Sequence, residues 1–98
     1  MTIEKKLNGS TLNVVLTGEL NTQTAPQLEA ELAPDLESID NLVIDVTALT
    51  YLSSAGLRVL LAAQKIMNRQ GTMKVTHVSD EVMEIFEVTG FSDLLTIE

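Results

Sequence analysis

The sequence predicts an α/β fold: a single domain whose mixed, mostly parallel sheet of four to five strands opens with an N-terminal hairpin and carries three to four helices. Three observations support this. Runs rich in β-branched and apolar residues recur at 11–17, 41–46 and 73–78. Segments with helical spacing of apolar residues separate them. Strands alternating with helices need crossovers, and crossovers produce parallel pairing. The 98 residues suit one domain, assigned to 1–98, and no repeat or linker divides them.

Residues 2–7 alternate weakly and lead into the turn-forming Asn8-Gly9, so they are expected to pair with 11–17, which Gly18 closes. Thr24-Ala25-Pro26-Gln27 reads as a helix start. Thr with Gln three residues on is a capping-box pattern, and Pro26 sits where a missing N–H does no harm. Leu28, Leu32 and Leu36 recur at helical spacing, and Pro34 is expected to kink or end that helix. NLVIDV at 41–46 is a continuous apolar run typical of a strand buried on both faces, with a loop after Val46. Residues 54–70 form the longest helix, closed by Gly71, with Leu57, Leu60, Leu61, Ala63 and Met67 assigned to the core. MKVTHV at 73–78 is a strand. Ser79 caps a last helix through Val88, Gly90 ends it, and Leu94 to Ile97 form a last short strand.

Composition removes whole classes of function. Hydrophobic residues make up 45% of the chain, enough for a core without staples. The lack of cysteine excludes disulfides, thiol catalysis and cysteine-bound zinc, and suits a reducing compartment. MTIEKKLNGS holds no apolar run of signal-peptide length, and no stretch approaches the ~18 consecutive apolar residues of a membrane span, so a cytoplasmic location is expected. Lys and Arg number 6 against 14 Asp and Glu, a net charge of −8 that repels nucleic acid and anionic membranes. At 3%, aromatic residues leave no stacking platform for bases. No cofactor or metal is expected.

The informative stretch is D-V-T-A-L-T-Y-L-S-S-A-G-L-R at 45–58, where a strand leads through a loop to the serine pair that opens the longest helix. Ligands and partners gather at the carboxyl ends of parallel strands, and a helix start offers free N–H groups with partial positive charge. A phosphate on Ser54 would meet those donors. Ser54, Arg58, Lys65 and Arg69 share one helical stripe holding half of the chain's six basic residues, so Ser54 is expected to be exposed with Arg58 one turn away. Taken alone, Ser53-Ser54 is most simply an N-cap, and cations near a helix C-terminus are favoured in any case. Gly56 costs a helix about 0.5–1 kcal/mol relative to Ala, which points to close approach by a partner or a tight fit to the sheet.

This stretch resembles the phosphoacceptor segment of STAS domains, the sulfate-transporter and anti-sigma-factor-antagonist family, and is most similar to the free-standing bacterial antagonists. The resemblance takes in VVLTGELNTQTA at 14–25, LVIDVTALTYLSSAGLRVLL at 42–61, GTMKVTHVS at 71–79 and FEVTGF at 86–91. It implies a partner-switching cycle. The unphosphorylated antagonist binds an anti-sigma factor that is also an ATP-dependent serine kinase, so freeing the sigma factor. Phosphorylation expels it, and a metal-dependent serine phosphatase restores it. The acceptor serine of the resemblance falls on Ser54, two residues before Gly56. Ser53 and Asn21 stand where relatives often carry Asp, and Ala55 where many carry Ser or Thr. The expected partner face comprises Asn21, Thr22, Ser53, Ser54, Gly56, Leu57 and Arg58, on a protein that is a monomer when free.

Three rivals stand beside this reading. An Asp45–Ser54–His77 triad is possible on paper, but Leu52 occupies the place where a nucleophile elbow needs Gly, so no enzyme is expected. A phosphoaspartate receiver would need an acidic pair where Gly18-Glu19 stands; Asp45 is instead expected to bond loop N–H groups near the Ser53 turn. A STAS scaffold for a transport complex or signalling assembly, without phosphorylation, has the same fold.

Overall fold

The chain opens with a hairpin: β1 (Thr2–Asn8) runs antiparallel to β2 (Thr11–Leu20) in the computed structural model, which describes residues 1–98. Asn8 faces Thr11, so the turn residues are Gly9-Ser10 and not the expected Asn8-Gly9. Gly9 takes φ 62° while Ser10 stays at negative φ, the pattern of a type II′ turn.

β2 continues past Gly18 to Leu20, and β3 (Asn41–Leu52) runs well beyond its expected end at Val46. The two extensions hold each other: Thr17 pairs with Ala48, Gly18 with Leu49, Glu19 with Tyr51 and Leu20 with Leu52, across two register irregularities. Bulges break the two-residue period, which is why T-A-L-T-Y-L reads as a loop in sequence. β4 (Thr72–Thr76) completes a sheet of order β1-β2-β3-β4 in which β2, β3 and β4 are parallel. The expected last strand is reduced to one bridge, where Val75 N–H donates to the Thr96 carbonyl at 2.8 Å and Glu98 N–H to the Val75 carbonyl at 3.0 Å.

The crossovers step across the sheet in one direction, and with the right hand that parallel connections favour they carry α1 (Ala25–Leu36), α2 (Ser54–Gln70) and α3 (Asp80–Thr89) to one face of it. There a single core of 24 buried residues joins Leu16, Ile44 and Val75 of the strands to Leu28, Leu60 and Phe86 of the helices. On the other face Asn13, Val15, Val43 and Asp45 are only half-buried. NLVIDV is therefore not buried on both faces. Val43, which makes its apolar run continuous, sits on this half-buried face in register with Asn13 and Lys74 of the neighbouring strands. Leu61, placed in the core by spacing, is half-buried. No helix is long and apolar enough to cross a membrane.

The helix ends follow local chemistry. Ser79 caps α3 by accepting from Val82 N–H at 3.2 Å, and Gly90 closes it at φ 80°. Pro34 falls in the last turn of α1, where the helix survives it by two residues and stops at Leu36. Gly71 ends α2 for another reason than a left-handed cap. A Cβ there would lie 1.8 Å from the Asp40 carbonyl oxygen, and that same oxygen accepts from Thr72 N–H at 2.9 Å. Gly71→Ala should thus destabilise the fold by about 1–3 kcal/mol through overpacking at the α2–β4 junction. Urea unfolding measures this, and an unchanged midpoint would show that the junction opens freely.

Candidate functional site

Two loops leave the sheet side by side. Asn21-Thr22 follows β2, Ser53 follows β3, and the Leu20–Leu52 pairing brings both to one end. Ser53 N–H donates to the Leu20 carbonyl at 2.9 Å, which ties the second loop to the first. Ser53 is also the N-cap of α2. Its hydroxyl accepts from Gly56 N–H at a long 3.4 Å, and its carbonyl accepts from Leu57 N–H at 3.0 Å.

Asn21 builds the first loop. Its Oδ1 accepts from the N–H groups of Gln23 at 2.9 Å and Thr24 at 3.0 Å, an Asx-type turn. Thr24 Oγ1 accepts from Asn21 N–H and donates to the Glu19 carbonyl, both at 2.8 Å. The hydroxyl is thereby used within the loop and Thr24 sits at αR, so the expected capping box with Gln27 does not form.

Ser54 is the first residue of α2, exposed as expected, and its hydroxyl makes no hydrogen bond within the chain. A helix start leaves the first N–H groups without intrahelical acceptors and carries partial positive charge. Arg58, one turn on, is exposed and forms no ion pair; neither do Lys65 and Arg69 on the same stripe. Thr22 and Arg58 line one open depression of about 400 Å³ together with Ala55 and Pro26. The loop after β2 and the start of α2 thus form a continuous surface.

Two expected members of that surface lie beneath it. Gly56 is buried, and a Cβ on it would stand 2.6 Å from Leu20 Cγ and 3.0 Å from the Leu20 carbonyl oxygen. Leu57 is 2% exposed. The glycine therefore answers the tight fit to the sheet, and both residues form the seat of α2 beneath the exposed surface. Leu20, the residue that Gly56 packs on, has no signal in the sequence beyond that of an apolar strand residue.

Asp45 differs from expectation too. Its Oδ1 accepts from Thr47 Oγ1–H at 2.6 Å and from Thr47 N–H at 2.9 Å, not from the Ser53 turn, whose N–H goes to Leu20. The Thr47 hydroxyl bond foremost, then the Thr47 N–H and the nearby His77, hold the Asp45 carboxyl below the usual carboxylate range against a partial desolvation. His77, at φ 58°, places Nδ1 3.4 Å from Asp45 Oδ2. No hydrogen bond joins His77 to Ser54, so the base–nucleophile contact of a triad is not made.

The model of the family described as "Mlab, STAS domain" matches residues 3–96. The chain belongs to the STAS family. Among its relatives, a candidate anti-sigma factor antagonist, BtrV, of Bordetella bronchiseptica is 38% identical over 94 residues, which cover 94% of this chain and 80% of the relative. The anti-sigma-B factor antagonist of Bacillus subtilis is 29% identical, with 97% and 88% covered. The solved structure of the anti-sigma factor antagonist SpoIIAA in its unphosphorylated form superposes with a TM-score of 0.84 over 99% of this chain and 88% of that one, at 16% identity, and so shares the fold.

Two outcomes test the geometry of this STAS site. Gly56→Ala should cost about 1–3 kcal/mol in urea unfolding, because Leu20 must give way to the new methyl. Asp45, with its lowered pKa, contributes stability that is present above the unfolded-state value and lost as pH falls through the folded one. Thr47→Val should move the Asp45 titration upward, toward the ordinary range, in carboxyl-carbon NMR. An unmoved midpoint would exclude Thr47 as the cause.

Proposed function

We propose that this STAS chain is an anti-sigma factor antagonist in a partner-switching cycle. Unphosphorylated, it binds an anti-sigma factor that is also a serine kinase, and the sigma factor is freed. The kinase transfers the γ-phosphoryl group of ATP to Ser54 Oγ; the new O–P bond forms as ADP leaves and the hydroxyl proton is lost. The product dissociates, and a metal-dependent serine phosphatase removes the phosphate. The chain is the acceptor and not the catalyst, and it works in the cytoplasm. The names of the relatives support this reading, and one observation carries it: the free Ser54 hydroxyl at the N-terminus of α2, beside an unpaired Arg58.

Asn21, Thr22, Ser53, Ser54 and Arg58 form the partner face of this reading. Phosphate at Ser54 adds about −1.5 to −2 charge. Helix N–H groups and Arg58 accommodate it in the free protein, whereas a partner packed on the helix end would have to bury it or leave. A change of 1.4 kcal/mol is tenfold in affinity, so a modest penalty suffices.

A second reading, a STAS scaffold without phosphorylation, draws on the matching family model, whose description names Mlab and no antagonist. Incubation with the kinase encoded by the same genome and ATP, followed by mapping of the modified residue, separates the two. Ser54→Ala should abolish labelling, and Ser54→Asp should weaken kinase binding by about tenfold or more. Labelling that persists in Ser54→Ala would remove Ser54 from the cycle, and no labelling of the unaltered chain would favour the scaffold.

A further inference from the structure

The outer edge of β1 is unpaired backbone. Asn8 and Thr11 flank a two-residue turn and so form a hydrogen-bonded pair; antiparallel alternation then turns the N–H and C=O of Asn8, Lys6, Glu4 and Thr2 toward β2. Those of Ile3, Lys5 and Leu7 point away, to an edge on which no strand of this chain sits. Glu4 and Lys6 are exposed on the open face of the sheet, and neither has an ion-pair partner. Leu7, on the helix-bearing face, is 60% exposed.

A bare edge invites pairing, and charges commonly prevent it. Here the charges are of both signs, and their placement makes the strand complementary to itself. We propose that β1 is a homodimer interface: two copies pair β1 with β1, antiparallel, about a two-fold axis at Lys5, so that two four-stranded sheets become one. In this register the outward N–H and C=O groups of Ile3, Lys5 and Leu7 all find acceptors and donors. Ile3 faces Leu7 of the partner subunit in a hydrogen-bonded pair, which covers the exposed leucine. Glu4 faces Lys6 of the partner subunit in a closely spaced, non-hydrogen-bonded pair, and symmetry repeats the contact. Lys5 meets its equivalent at the axis. Like charges opposite one another are unfavourable, but each Lys5 ammonium is already held by its own Asp35 at 2.9 Å and Glu31 at 3.1 Å.

The sequence selects this register over its neighbours. A shift of the axis by one residue in one direction sets Glu4 against Glu4 of the partner subunit, and in the other Lys6 against Lys6 of the partner subunit. An axis between residues would set outward groups of one copy against inward groups of the other and break the ladder. The edge contains no member of the Ser54 surface, so the inference goes beyond the proposed function and does not rest on it. It also stands against the expectation of a free monomer.

Sedimentation equilibrium of the full chain tests it. The unaltered protein should show a concentration-dependent monomer–dimer equilibrium. Lys6→Glu should weaken association by about tenfold or more, because two attractions become two repulsions. Glu4→Lys should do the same, and the double variant Glu4→Lys/Lys6→Glu should restore association, since the opposite pairs return with signs exchanged. Amide exchange should show Ile3, Lys5 and Leu7 losing protection on dilution while Glu4 and Lys6 keep theirs. Circular dichroism checks that each variant is folded. A monomer at every concentration up to about 1 mM would overturn the proposal. So would a dimer indifferent to the single reversals, or one that the double exchange fails to restore.

Discussion

The pairing of Leu20 with Leu52, at the far ends of two strands that outlast their obvious apolar runs, is the constraint on which the site depends. It carries both loops to one end of the sheet, places the Leu20 carbonyl where Ser53 N–H binds it, and sets the Leu20 side chain against the first turn of α2. Gly56 is the matching half of that fit. With no side chain there, α2 comes close enough for Ser53 to be both strand-tied and a helix cap. Ser54 is consequently the first residue free of the sheet, and its position is set by the start of α2 and the tied Ser53 before it.

The electrostatics of the molecule separate in a useful way. The chain carries −8 overall, yet Arg58, Lys65 and Arg69 stand unpaired along the outward side of α2, with Ser54 at the head of the stripe. Net charge governs solubility and keeps polyanions away. The local stripe and the helix N-terminus govern what a phosphate at one position would meet. A group with a charge near −2 can thus be stabilised on the free surface of an acidic protein while remaining costly to bury under a partner. Both edges of the sheet are treated differently again. The β4 edge is partly covered by residues 96–98 through the Val75 bonds, whereas the β1 edge is left open with alternating charges.

The order of elements, the three helices, the Ser53 and Ser79 caps, the exposure of Ser54 and the basic stripe were all legible in the sequence. Each depends on interactions between residues within about one turn or on a periodicity of one element, and such information is local. The STAS resemblance, carried by several motifs in order, supplied the family. Spacing misplaced what depends on neighbours distant in the chain. The end of β3 was read as a loop because bulges hide the alternation of T-A-L-T-Y-L, and only pairing with β2 makes it a strand. Thr24 shows a cap pattern, but its hydroxyl is taken by Glu19 and Asn21.

The sequence by itself determined an α/β STAS domain with a candidate phosphoacceptor serine at the head of its longest helix. Only the tertiary structure decided which residues beside Ser54 face solvent. It moved Gly56 and Leu57 from the surface to the seat of the helix, because the distance from α2 to Leu20 is set by sheet pairing across some 36 residues of chain, a separation over which helical spacing carries no information. It likewise decided that Gly71 is needed for the approach of the Asp40 carbonyl and not for a left-handed cap, since that oxygen reaches it from the far side of a crossover.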